Sequence, residues 1–269
     1  MKSFLPLLFV FFPFLYFSQQ QNTIWETNTG RRPSSGNYLR EADIGWAKRI
    51  WRTIDFHDKL NQHLFFPEVR DDHSTSLFDV VLKAALSGEI AVYSPNDDVF
   101  SDPLNADEIM AQLTQTVAFP KNKNSVNAEE FGQTKYETDT LHAEDIVQYY
   151  LKEDWFFDTK RSVLDVRIIG ICPVTYQPEK DFFKPLFWIN LQECRSVLVQ
   201  HTAPHPRNIA RKLSFDDIFI KRMFNSYITK ESNLEDKSID EYKVGKEKWL
   251  EAERIKNKIY NLESDMWQY

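Results

Sequence analysis

Glycine is scarce in this chain: there are 7 in 269 residues, where the usual share would give about 19. No two lie closer than Gly30 and Gly36. A phosphate-cradling loop needs clustered glycines, so that backbone N–H groups can approach the ligand. Their absence argues against nucleotide chemistry. Positive charge is also short, with 33 Lys and Arg against 40 Asp and Glu and a formal net charge of −7. A nucleic-acid-binding protein needs a basic stripe to release counterions, and that class is excluded on the same ground. After residue 18 no apolar run approaches the roughly 20 residues of a membrane-spanning helix.

Cysteine is limited to Cys172 and Cys194. In an oxidising compartment they could pair, and such a bridge would add about 3 kcal/mol on the chain-entropy argument. Two buried free thiols are the other reading, and the sequence leaves both open.

Catalytic signatures are missing as well. Neither G-x-S-x-G, S-x-x-K nor H-E-x-x-H occurs. His201 and His205 stand four apart, but Pro204 and Pro206 keep that segment from forming the helical face a zinc pair requires. The acidic stretch Ser94–Pro103 lacks the spacing of a calcium loop, and Asp71, Asp72 and His73 read as another solvated polar run. No catalytic residue, cofactor-binding residue or metal ligand is expected. A hydrolase or ligand-binding protein whose site residues are dispersed along the chain stays as the alternative class.

What the chain does have begins at its start. Lys2 is followed by apolar residues and proline from Phe4 to Phe17, then by Ser18 and three glutamines. This is the pattern of a cleavable secretory signal over residues 1–18, too short to span a bilayer. Residues 19–40 are rich in Gly, Pro, Ser, Asn and Arg and read as an extended or disordered arm. Residues 41–269 then read as an α+β domain, mixed helices with a small antiparallel sheet, with an option of two lobes. The polar stretch 120–141 is the one internal insert or linker.

Within that domain, Ile44, Ala47, Ile50, Trp51 and Ile54 recur at three- and four-residue steps and predict a helix over 42–55. Further helices are expected at about 76–86, where Ser76 and Asp79 resemble a capping pair, at 105–116 and at 143–153. A short strand is expected at 90–93. The run from Trp155 to Val174 predicts a hairpin turning at 159–162, with Val163, Asp165 and Arg167 facing away from Leu164, Val166 and Ile168. Another strand follows at 185–190, then helices at about 191–200, 215–227 and 245–267.

Aromatic residues make up 14% of the chain, including 7 Trp. Large rigid side chains of this kind serve cores and contact hot spots alike. Trp25 in the arm, Trp249, and Trp267 with Tyr269 at the C-terminus are the candidate docking residues. The last two read first as anchoring the end of the chain on its own core.

Several blocks in order carry a family resemblance. They are Ala42–Asn61, Ser76–Tyr93, Asp158–Val174, Pro185–Asn190, Ser214–Asn233 and the ending LEAERIKNKIYNLESDMWQY. Together they resemble the gliding-motility GldN family, called PorN in non-gliding relatives. Cys172 departs from the small residue expected in that segment, and the polar insert looks lineage-specific. The resemblance implies a non-enzymatic, periplasmic component of the type IX secretion system of Bacteroidetes. It implies a ring built with the outer-membrane lipoprotein GldK (PorK) and with copies of itself, approached by the motor protein GldM (PorM). It carries no catalytic residue, cofactor, nucleic acid or direct membrane insertion.

Overall fold

The hairpin centred on residues 159–162 organises the molecule. In the computed structural model, which describes residues 32–34, 38–65, 75–96, 98–120, 134–203 and 213–266, strands β5 (Ile146–Asp158) and β6 (Val163–Gln177) flank that turn and pair antiparallel. The turn is set chemically. Asp158 accepts hydrogen bonds from the backbone N–H groups of Lys160 and Arg161 and from Arg161 Nε at 2.6 Å. Ser162 adopts a positive φ of 54° to bring the chain back.

Residues 42–55 do not form the expected helix. After a short 3-10 turn at Glu41–Asp43 they run as strand β1 (Ile44–Asp55), paired along its length with β5. The three- and four-residue spacing arises because the strand is useful on both faces. Ile50 and Ile54 enter core clusters on one face, while Trp51 and Thr53 line a cleft on the other. Residues 143–153 are likewise a 3-10 turn (Ala143–Asp145) leading into β5, whose β-branched and aromatic content suits a central strand buried on both sides.

The main sheet has the order β11–β1–β5–β6–β8–β2, with β2 at Val92–Tyr93, β8 at Trp188–Asn190, β11 at Tyr227–Glu231, and β7 (Phe182–Pro185) paired to β6 off that path. Strands from both sides of the polar insert share this sheet. The insert's flanks are themselves ordered: β3 (Thr114–Pro120) pairs with β4 (Thr134–Thr140) as a two-stranded ribbon. A second short pair joins β9 (Thr202–Ala203) to β10 (Leu213–Ser214).

The capped helices begin where expected, though the one expected over 105–116 stops at Leu113, where β3 takes over. Besides the single turn α1 (Gln62–Phe65), α2 (Leu77–Leu86) begins at Ser76, whose hydroxyl accepts from the Asp79 N–H at 3.1 Å. In α3 (Ala106–Leu113) the Asn105 N–H donates to Glu108 Oε2 at 2.7 Å, closing a capping box. Helix α4 (Leu191–Leu198) follows β8 directly. Helix α5 (Phe215–Ile220) is shorter than expected, because Arg222 takes a φ of 50° and turns the chain towards β11. Helices α6 (Ile239–Tyr242) and α7 (Lys246–Met266) close the chain.

One face of the sheet carries two core clusters. The larger packs α2, α3, α4 and α5 on Ile54, Leu151 and Ile171; the smaller sets Ala252, Ile255 and Ile259 of α7 against Ile50, Trp155 and Ile228. Glu153 points to the same face, fully buried. It accepts from Trp155 Nε1 at 3.0 Å and pairs with Arg222 at 2.9 Å, the partner a buried carboxylate requires. Residues 31–269 belong to one compact unit. The secretory signal expected over residues 1–18 lies outside the described residues, as does most of the expected arm over 19–40.

Candidate interaction surface

The opposite face of the sheet holds the chemistry. Period-two alternation brings Trp51 and Thr53 of β1, Gln148, Tyr150 and Lys152 of β5, and Gly170 of β6 to this side. The acidic stretch after β2 lies across it as a strap. Asp98 accepts a hydrogen bond from Trp51 Nε1 at 2.6 Å and faces Lys152 Nζ at 3.4 Å, while its backbone carbonyl also takes the ammonium. The Lys152 side chain is only 3% exposed. Burial pulls its pKa below the ordinary lysine value, against the opposing effect of Asp98. Phe100, at a φ of 63°, lays its ring over Gly170, where an added Cβ would stand 2.5 Å from the ring. Glycine is needed there for close approach. The stretch considered as an ion loop is therefore a clamp in which Asp98 is spent on Lys152 and Trp51.

Beside the strap opens a cleft of about 580 Å³ lined by Trp51, Tyr150, Phe183, Trp188, Tyr227 and Trp249, with polar groups including Gln148 and Asp240 at its wall. Trp249, near the start of α7, is 59% exposed and meets Tyr227 edge-on, ring centroids 4.9 Å apart. Trp51 lies under the ammonium of Lys230 at 4.6 Å. Lys230 and Lys248 at the rim are held by Asp236 and Asp240, each at 2.7 Å. Beyond Phe183 the aromatic surface continues to Tyr176, whose ring is 5.2 Å from that of Phe183, while the exposed Phe182, its neighbour in β7, is turned to the other side by alternation. The tryptophan and tyrosine rings among these, apolar but carrying hydrogen-bonding tips, are what contact hot spots are made of.

Of the docking residues expected from sequence, Trp249 is placed in this cleft. Trp25, Trp267 and Tyr269 lie outside the described residues, as do His205, Asp71, Asp72 and His73. Tyr150, Trp188 and Tyr227 were not singled out in advance. A period-two reading of WRTID and of the β5 segment would have put Trp51 and Tyr150 on one side. Among the described residues no group of three or more His, Cys, Asp or Glu side chains is arranged to hold a metal.

Cys172 and Cys194 are both buried and free. Ile171 joins the core under α4 to which Cys194 belongs, so alternation turns Cys172 to the other side of the sheet. Burial pushes both thiols up to about 12, which keeps them protonated and unreactive.

The sequence profile of the family described as gliding motility associated protein GldN matches residues 39–268, from just before β1 to the last residues of α7. The chain belongs to the GldN family. The match spans every strand and helix described above, so the aromatic cleft and the strap belong to the GldN-type domain. Comparison with curated proteins finds no match.

Proposed function

We propose that this protein, a gliding motility associated protein by family, is a non-enzymatic structural subunit of the type IX secretion and gliding machinery. It acts in the periplasm, forms a ring with copies of itself and the outer-membrane lipoprotein GldK (PorK), and couples that ring to the motor protein GldM (PorM). The family match over residues 39–268 is the observation that carries this reading. The aromatic cleft, with Trp249, Phe183 and Tyr176 exposed at and beside it, supports it, because a protein held by its partners needs broad contact surface.

The deciding experiment isolates the tagged protein from detergent-solubilised envelopes and identifies its companions by mass spectrometry. A stoichiometric outer-membrane lipoprotein is the expected result. Recovery of a lone soluble monomer would overturn the ring reading and return a dispersed-site hydrolase or ligand-binding protein to the front, to be tested by an activity screen.

A further inference from the structure

The aromatic cleft beside the strap keeps some of its hydrogen-bonding groups unused. Trp51 and Trp155 donate their indole N–H groups to Asp98 and Glu153. Trp188 and Trp249, which both line the cleft, have no acceptor for theirs among the described residues, and the Tyr150 hydroxyl has no hydrogen-bond partner there either. Trp188 is only 5% exposed, and a donor so little hydrated gains from any acceptor placed in the cleft. Burial pushes the Tyr150 phenol up to about 12, so it stays protonated and able to donate.

Other polar side chains of the wall are already committed. Gln148 donates to Asp55 at 3.3 Å, Thr229 to the Trp51 carbonyl at 3.3 Å and Ser238 to Glu241 at 3.0 Å. Lys230 and Lys248 are answered by Asp236 and Asp240. The cleft therefore selects for neither sign of charge; it offers ring surface with three donors set among the rings. A ligand that fits has acceptors, apolar bulk and no donors of its own to satisfy. A proline-rich segment in the polyproline II conformation meets all three conditions, because each prolyl residue lacks the N–H, keeps its carbonyl and lays its ring on aromatic side chains. Its shape is set before binding, so little entropy is lost on docking. A sugar also stacks on indoles, but its hydroxyls donate as well as accept, and the carboxylate of Asp240 is held by Lys248.

We propose that this cleft is a docking site for a proline-rich, polyproline II segment of another protein. Trp188, Trp249 and Tyr150 would donate to its carbonyl groups, while the exposed rings of Trp249 and Phe183 pack against its prolines. The proposal rests on reading the cleft as a contact surface, and it names the chemistry of the partner there.

An octaproline peptide, a glycine–serine peptide of the same length and a chito-oligosaccharide are titrated into the purified mature protein, with binding followed by calorimetry. The proline peptide is expected to bind at least about tenfold tighter than the glycine–serine peptide. Trp188→Phe and Tyr150→Phe keep a ring and remove one donor each, so either should weaken it about fivefold to tenfold, the worth of one hydrogen bond. Trp249→Ala should weaken it further, and Phe182→Ala, on the other side of β7, should leave it unchanged. The assay contains no envelope partner, so its failure would remove this ligand class without touching the ring reading, which the envelope isolation decides. Equal binding of the two peptides, no binding, or donor variants that bind as the native protein does would overturn the proposal. Preference for the oligosaccharide would overturn it in favour of a glycan site. Self-association that octaproline competes away would overturn the assignment to another protein and give the cleft to the proline-bearing stretch 203–207 of a second copy.

Discussion

Lys152 carries its ammonium where water scarcely reaches, and the fold tolerates it because Asp98 and the rings of Trp51 and Phe100 surround it. Removing the carboxylate leaves a buried cation short of a partner. Asp98→Ala should therefore cost about 2 kcal/mol, less than a fully enclosed pair because Asp98 is partly exposed. Gly170→Ala attacks the same strap from below, since its methyl must displace the Phe100 ring, and should cost about 1–3 kcal/mol. Urea unfolding of both variants and the double variant checks the coupling. A double-variant cost well below the sum means one strap, and simple additivity would mean two unrelated defects. Asp158 sets a different limit. Its hydrogen bond from Arg161 holds its carboxyl below the ordinary aspartate value, so its folded pKa lies below its unfolded one. Its contribution is in full force above the unfolded value of about 4 and is lost as pH falls through the depressed one. Stability measured from neutral pH downward should then show Asp158→Asn weaker than the native protein at neutral pH, with the gap closing below about pH 4. A gap that persists into acid would assign the effect to turn geometry alone.

At the scale of elements, α7 crosses the β11 edge with two different jobs. Ile255 and Ile259 are buried against Ile50 and Trp155, while Trp249 stands mostly in solvent over Tyr227. Ile255→Ala should cost about 2–4 kcal/mol through the cavity it leaves. Trp249→Ala should cost less than about 1 kcal/mol. If the cleft is a contact surface, it should also reduce partner recovery in the envelope isolation. A large stability loss at Trp249 would make it a core residue. The helix stripe was legible because α7 buries only one side, so the 3.6-residue period survives in Ala252, Ile255 and Ile259. The capped helices were legible through Ser76 and through Asn105 with Glu108. In β1 and β5 the signal was masked: a strand used on both faces scatters its apolar residues, and Ile44, Ala47, Ile50, Trp51 and Ile54 then imitate a helix. The β-branched and aromatic content of IVQYYLKEDWFFD argued for a strand more strongly than its spacing did. The cleft inherited that loss, because three of its aromatic rings, Trp51, Tyr150 and Tyr227, sit on segments read as helical.

For the whole molecule, the sheet ties distant parts of the chain together, with β1 from near one end flanked by β11 from near the other. The ribbon β3–β4 stands apart from this arrangement, pairing only within itself among the described strands. At its base the Leu141 N–H donates to the Leu113 carbonyl at 2.9 Å, and both leucines belong to the main core. The chain thus leaves and re-enters the core at adjoining points, which explains how residues 120–141 can be so polar without weakening the fold. Replacing residues 114–140 with a short Gly–Ser turn should keep unfolding cooperative and hold the thermal midpoint within about 4 °C, roughly 1 kcal/mol for a domain of this size. Circular dichroism melting tests this directly. A broad or strongly lowered transition would show that the ribbon shields core surface. A native-like melt combined with loss of partners in the envelope isolation would instead make the ribbon a contact element, placed on a part of the chain whose sequence the core does not constrain.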